Sequence, residues 1–281
     1  MSEADLDALP PLREVIATYG LRAHKGLGQH FLLDLNVTHK IARLAGDLHG
    51  VHVIEIGPGP GGLTRALLAS LAATVTAIER DSRCVGALQN LVTAAQGRLN
   101  LVSGDALTTD LVAMTSAPRA IIANLPYNIG TELLVRWLKQ SHAFVSMTLM
   151  FQREVAARIC AAPGSKNYGR LAVMAQACCT VRKLFDLPAR AFTPPPKVDS
   201  SVVHLTPHPE GLDAALLATL EQLTAAAFGQ RRKMLKSSLA DYGGETFLRR
   251  HNIDPMARAE AIAVEDFLTL ASAVLARNVQ S

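Results

Sequence analysis

From Val51 onward, short runs rich in β-branched residues alternate with longer stretches whose apolar residues recur every three or four positions. That alternation restricts the chain to a mostly parallel sheet covered by helices, because parallel strands need a crossover to return to the same edge. The spacing predicts strands over residues 51–56, 74–79, 99–102, 120–124 and 144–151, with helices over 62–71, 81–95, 131–140 and 152–161. Residues 171–185 and 198–205 are apolar on either side of Pro194-Pro195-Pro196, and a pair of strands closing the sheet edge is expected there. The segment from Thr206 to Gly211 reads as a linker, and the pattern beyond it is helical. The expected organisation is an arm over 1–25, an α/β domain over 26–208 and a small all-α domain over 211–281. There is no internal repeat.

Composition narrows the class. With 49% apolar and 19% charged residues in 281, the chain can bury a substantial core. No apolar run is long enough to span a bilayer, and the acidic start Met1-Ser2-Glu3-Ala4-Asp5 is unlike a signal peptide, so a cytoplasmic protein is expected. Cys84, Cys160, Cys178 and Cys179 lack zinc-binding spacing and read as reduced thiols; no metal is expected. The net charge of +4 is compatible with a polyanionic partner but too small to indicate one.

The first predicted strand runs into Glu55-Ile56-Gly57-Pro58-Gly59-Pro60-Gly61-Gly62, which opens a helix at the place where an α/β sheet exposes its ligand crevice. Glycines there let a ligand approach the backbone. Glu79 ends the second strand, where a carboxylate can accept both hydroxyl hydrogens of a ribose, so a nucleoside cofactor follows. Gly57, Gly59 and Gly62 also satisfy the dinucleotide pattern, which keeps a nicotinamide cofactor and an oxidoreductase in play. Pro58 and Pro60, however, remove N–H donors that a pyrophosphate would need, and S-adenosyl-L-methionine has no pyrophosphate. Glu55 fits the acidic start of E-x-G-x-G-x-G. Asp105, after the third strand, is in register to accept from an adenine amino group.

Asn124-Leu125-Pro126-Tyr127 ends the fourth strand beside the same crevice. Methyl transfer to an exocyclic amine requires a nitrogen lone pair that is otherwise delocalised into the base. Two acceptors aimed at the amine hydrogens would reorient it: the Asn124 side-chain oxygen and the Leu125 carbonyl, the latter fixed by Pro126. Tyr127 supplies a π-face for an extruded base. No general base is required, and an Asx-type turn with a packed tyrosine is the plain structural alternative.

Together, Gly26-Leu27-Gly28-Gln29-His30-Phe31-Leu32, the glycine turn, Asn124 to Ile129, Tyr168-Gly169-Arg170-Leu171 and Ala191 to Ser200 resemble the bacterial KsgA/RsmA family. The resemblance spans roughly residues 24–240. It implies a Rossmann-like S-adenosylmethionine-dependent methyltransferase sheet with helices on both faces. It also implies N6,N6-dimethylation of two adjacent adenosines in a hairpin near the 3′ end of small-subunit (16S) ribosomal RNA, within a pre-30S particle. His30 and Leu32 are then expected to contact the cofactor with Gly57, Gly59, Glu79, Asp105 and Asn124. Asparagine is the family's residue at position 30, and histidine can donate a hydrogen bond in its place. Phe192 is expected to cover the target adenine opposite Tyr127, as an exposed wedge before three prolines, with a core anchor as the alternative.

RNA contacts are expected from Arg231, Arg232, Lys233 and Lys236, extended by Arg22 and Lys25 in the arm and by Arg153 beyond the fifth strand. A solvated basic helix face is the alternative for the first group. Two rival functions share the scaffold: a large-subunit (23S) rRNA adenine N6-methyltransferase of the antibiotic-resistance type, and a non-catalytic RNA-binding assembly factor. The Thr193 to Ser200 stretch favours the small-subunit reading.

Overall fold

A computed structural model describes residues 9–21, 28–230 and 233–279. After helix α1 (Leu12–Thr18) come strand β1 (Phe31–Leu32) and α2 (Leu35–Leu44). The alternation then runs β2 (His52–Ile56), α3 (Gly62–Leu68), β3 (Thr74–Glu79), α4 (Ser82–Ala87), α5 (Gln89–Ala94), β4 (Leu99–Ser103), α6 (Leu111–Met114), β5 (Arg119–Asn124), α7 (Gly130–Leu138), β6 (Ser146–Gln152) and α8 (Arg153–Ile159). It continues through α9 (Arg170–Cys178), β7 (Cys179–Leu187), β8 (Phe192–Thr193) and β9 (Ser200–Pro207).

Seven strands form one sheet in the order β4-β3-β2-β5-β6-β9-β7. β4, β3, β2, β5 and β6 are parallel neighbours, and β9 joins β6 antiparallel. Helices cover both faces of this Rossmann-like sheet. The chain order reverses between β2 and β5, the switch point at which such sheets open a crevice. Here β2 stays paired with β3 up to Ile56↔Ile78, whereas its pairing with β5 runs only to Ile54↔Ile121. The two strands therefore part as the glycine turn begins.

Burial explains why these strands are legible. Val53, Ile54, Val75, Ala77, Ala120, Ile121 and Ile122 are wholly shielded, so β2, β3 and β5 are mainly apolar through their centres. Described residues of the expected arm are packed rather than trailing: Val15 and Leu21 join Phe31, Cys84 and Ala87 in a small cluster. The Arg65 guanidinium fastens that segment by donating to the Pro10 carbonyl at 2.8 Å.

Two expectations need correction. Residues 170–178 form α9, not an edge strand; Leu171, Ala172, Val173, Met174, Ala175, Ala177 and Cys178 are all buried, so no one-sided periodicity marks the helix. The helix expected over 81–95 is two helices that meet at Leu88, two residues after Gly86, which weakens helical propensity there.

The chain divides into two compact units. One holds the described residues up to Arg136 with Ala143–Ala156 and Arg182–Thr206; the other holds Trp137–His142, Ala157–Val181 and the described residues from Pro207 on. The second unit therefore takes in α9, which the sequence places in the α/β domain. It also contains α10 (Ala214–Phe228), α11 (Leu235–Ser238), α12 (Gly244–Arg250) and α13 (Val264–Val279), with α9, α10 and α13 packed together. No helix among the described residues is long and apolar enough to cross a membrane.

The approach of β1 to the start of α3 admits no side chain. A Cβ on Gly62 would lie 2.6 Å from the Leu32 carbonyl oxygen, a backbone atom that cannot swing aside. Gly62→Ala is expected to destabilise the first unit by about 1–3 kcal/mol, the usual cost of overpacking, read as a lower urea midpoint at unchanged m-value.

Candidate active site

The turn after β2 binds its own backbone tightly. Gly57 N–H donates to the Ile78 carbonyl (2.9 Å) and Gly61 N–H to Pro58 (3.0 Å), while Gly59 N–H donates to Glu79 Oε2 (3.1 Å). With Pro58 and Pro60 lacking N–H groups, the loop has few donors to offer a pyrophosphate, which strengthens the argument against a dinucleotide. Gly59 sits at φ 57°, and a Cβ there would meet the Phe31 ring at 3.0 Å. A small, left-handed residue is thus required where the loop turns into the cleft.

The cleft brings the sequence-derived cofactor residues together: His30, Leu32, Gly57, Gly59, Glu79, Asp105 and Asn124 all line it, with Leu125, Pro126 and Tyr127. Glu79, at the end of β3, accepts from Gly59 N–H and, through Oε1, from Asp81 N–H at 2.8 Å. Burial raises its pKa and these two amides work against the rise. Asp105 Oδ1 accepts from Leu107 N–H (2.9 Å) and Oδ2 faces Arg80 Nη1 at 3.1 Å. A carboxylate has lone pairs for further donors beyond these. Asp81 caps α4 and is held by Arg83 and by Gln29 Nε2 (3.1 Å), and its pKa drops to about 2, chiefly through Arg83.

Glu55 differs. It is 1% exposed, and among the described residues its Oε2 has no hydrogen-bond partner; nor has the Thr64 hydroxyl. Burial pushes its carboxyl up to about 8, with nearby Thr64 opposing the shift and Glu79 adding to it. At neutral pH Glu55 is therefore mostly protonated, as an uncompensated buried carboxyl must be.

Asn124 ends β5 with its side-chain amide oriented: Nδ2 donates to the His30 backbone carbonyl at 3.1 Å. That bond fixes which end of the amide is the donor and leaves Oδ1 as the acceptor. The Pro126 carbonyl accepts from Ile129 and Gly130 N–H, starting α7 directly after the tetrad. Tyr127 shares a 2.6 Å hydrogen bond with the buried Ser200 hydroxyl, and burial raises its pKa. Its ring lies 5.2 Å from that of His30, whose Nδ1–H donates to the Pro194 carbonyl (2.9 Å). Residues 28–32, the tetrad and the proline stretch are thereby tied into one wall.

Phe192 does not behave as the sequence suggests. It is 2% exposed and packs in the main core with Leu32, Met150, Leu187 and Val202. β8 pairs antiparallel with β1, Leu32 opposite Phe192, and alternation along this short strand turns Phe192 inward and Thr193 outward. Burying a side chain of that size is worth more than exposing it as a wedge. In this structure it is a core anchor, the alternative that the sequence left open, and not an exposed wedge.

Of the expected RNA contacts, Arg153 is exposed and faces Asp199 at 3.3 Å. Lys233 is exposed and Lys236 half-buried, in the loop and short helix that follow α10 rather than on a long helix face. Arg22, Lys25, Arg231 and Arg232 lie outside the described residues. The sequence reading did not single out Ile78, Arg80 and Ala106, which also line the cleft. Their adjacency to Glu79 and Asp105 was the available signal.

A doubly wound sheet with this glycine turn and a carboxylate ending the next strand is the Rossmann-like fold of S-adenosylmethionine-dependent methyltransferases. The sequence profile of the family described as ribosomal RNA adenine dimethylase matches residues 20–275, and the chain belongs to that family. The ribosomal RNA small subunit methyltransferase A of Rhodospirillum rubrum is 56% identical over 274 residues, covering 97% of this chain and 95% of its own. That of Mesorhizobium japonicum is 58% identical over 278 residues, covering 96% and 99%. Among solved structures, a dimethyladenosine transferase from Plasmodium falciparum is similar with a TM-score of 0.73 at 27% identity, over 86% of this chain and 96% of that one. The 23S rRNA methyltransferase ErmE is similar with a TM-score of 0.69 at 26% identity, over 87% and 99%.

Glu55 makes a stability prediction with a definite sign. Its folded pKa of about 8 lies above the ordinary 4.5, so the folded state binds the extra proton, and the associated stability is lost as pH rises through about 8. Glu55→Gln stays neutral throughout. Its melting temperature relative to wild type is expected to climb steadily between those two pKa values; a constant offset would show that the carboxyl is not desolvated.

Proposed function

We propose that this chain dimethylates the N6 amino groups of two adjacent adenosines in a hairpin near the 3′ end of small-subunit ribosomal RNA. The observation that carries the reading is the anchored Asn124 amide, whose oxygen end is the acceptor, in the cleft that also holds Glu79 and the glycine turn. Identity of 56–58% to small-subunit methyltransferases, against 26% to ErmE, supports the small-subunit substrate over the large-subunit one. S-adenosyl-L-methionine, when bound, supplies an electrophilic methyl group on a sulfonium.

The residues suit that cofactor chemically. Glu79 keeps lone pairs for ribose hydroxyls while two main-chain amides hold it in place, and Asp105, itself held by Leu107 N–H, would accept from an adenine amino group. Gly57 and Gly59 bring the backbone close, and His30 and Leu32 close the wall beside Asn124. On the substrate side, Asn124 Oδ1 and the Leu125 carbonyl accept the two amine hydrogens and turn the nitrogen lone pair out of conjugation. Tyr127, its hydroxyl held by Ser200, presents a fixed ring for the extruded base. Catalysis then consists of positioning and electrostatics, with the surplus proton released to water. Arg153, Lys233 and Lys236, with Arg22, Lys25, Arg231 and Arg232, contact phosphates and set register without reading sequence.

The decisive assay is incubation with tritiated cofactor and hypomethylated small subunits, then mapping of the label. Dimethyladenosine in the 3′-terminal hairpin is the expected product; label confined to large subunits would reverse the assignment. In single turnover, Asn124→Ala is expected to slow transfer by roughly 10² or more with RNA binding nearly unchanged. Tyr127→Ala should also weaken capture of the base, since stacking is worth about 1–3 kcal/mol, whereas Tyr127→Phe should retain most activity. Reversing Lys233 and Lys236 to glutamate should weaken RNA binding and flatten its salt dependence at unchanged cofactor affinity.

A further inference from the structure

Glu55 is a carboxyl of the cleft wall that neither the glycine turn nor the tetrad employs. Glu79, on the neighbouring strand, is itself buried and adds negative potential. Thr64, on α3, offers only a hydroxyl. The other titratable groups lining the cleft are His30, Arg80, Asp105 and Tyr127. Arg80, the cation among them, is 67% exposed and paired with Asp105. Among the described residues, then, no cation compensates Glu55.

The proposed cofactor carries two cationic groups at its methionine end, an ammonium and a sulfonium. An opposite charge within about 4–6 Å typically lowers a carboxyl pKa by 1–3 units, more effectively where water is excluded. We propose that Glu55 is a proton-linked counter-ion for that cationic end: it holds its proton in the free protein and gives it up when the cofactor binds. The inference rests on the cofactor assignment made above. In the step itself the Glu55 O–H bond breaks, the proton passes to bulk buffer, and the carboxylate stays facing the bound cation.

The consequence is a cofactor affinity that rises with pH. At about pH 7 a group with a midpoint near 8 is roughly nine-tenths protonated, so a drop of 1–3 units on binding should release about 0.4–0.9 of a proton. A shift of 1–3 units corresponds to a total gain in affinity of roughly ten- to thousand-fold across the titration.

Calorimetry in buffers of different ionisation enthalpy counts the protons directly. The cofactor's own amine titrates near 8, so the wild type must be compared with Glu55→Gln. At about pH 7 we expect the wild type to release about 0.4–0.9 of a proton more than Glu55→Gln, and Glu79→Gln to bind more weakly yet still release it. S-adenosylhomocysteine keeps the ammonium but has a neutral thioether. Release that persists with it assigns the ammonium as the partner; release that disappears assigns the sulfonium. Cofactor binding with equal proton counts in wild type and Glu55→Gln overturns the proposal alone, and absence of any binding heat overturns the cofactor assignment with it. If Glu55→Gln fails to fold, carboxyl ¹³C titration of Glu-labelled wild type reads the same proton. A Glu resonance with a midpoint near 8 that moves down with cofactor supports the proposal, and one that does not move refutes it.

Discussion

The amides of Gly59 and Asp81 converge on the carboxylate of Glu79, and the shape of the cleft follows from that convergence. One bond draws the glycine turn against the end of β3; the other holds the chain as it enters α4. The carboxylate is almost wholly buried, so without the two amides it would carry a large desolvation penalty. With them it keeps lone pairs for a ligand and also works as a structural clip. Glu55, on the neighbouring strand, has the same chemistry but, among the described residues, no such amide donors, and burial pushes its carboxyl up to about 8. Burial thus pushes both carboxyls up, and main-chain amides oppose the rise at Glu79 alone of the two.

The class of sheet was legible in the sequence because its strands are buried on both faces and separated by helices with an apolar stripe. The cleft residues were legible for a different reason. Gly57, Gly59, Glu79, Asp105 and Asn124 all sit at the carboxyl ends of strands, and topology brings those ends together whatever the packing beneath them. What escaped were properties that depend on neighbours distant in sequence. Helix α9 is apolar nearly all round and carries no period to distinguish it from a strand. Phe192 was read as exposed from the prolines that follow it, while its burial is set by pairing with Leu32, some 160 residues earlier. Glu55 was recognised as the first letter of a motif, but that its carboxyl lacks a partner could be learned only from the elements around it.

The wall beside the glycine turn is assembled from three separated stretches, and its bonds are of two kinds. His30 to Pro194 and Tyr127 to Ser200 use at least one side chain whose identity matters. The bond that orients Asn124 uses the carbonyl of residue 30, which every amino acid possesses. Position 30 can therefore carry a different side chain, such as the asparagine expected of the family, without disturbing the bond that orients the Asn124 amide. The orientation of the Asn124 amide is buffered against point substitution at its own anchor. It is exposed instead to insertions, deletions or prolines that displace the path of the chain, so genetic variation should damage this contact through changes of length more than changes of letter.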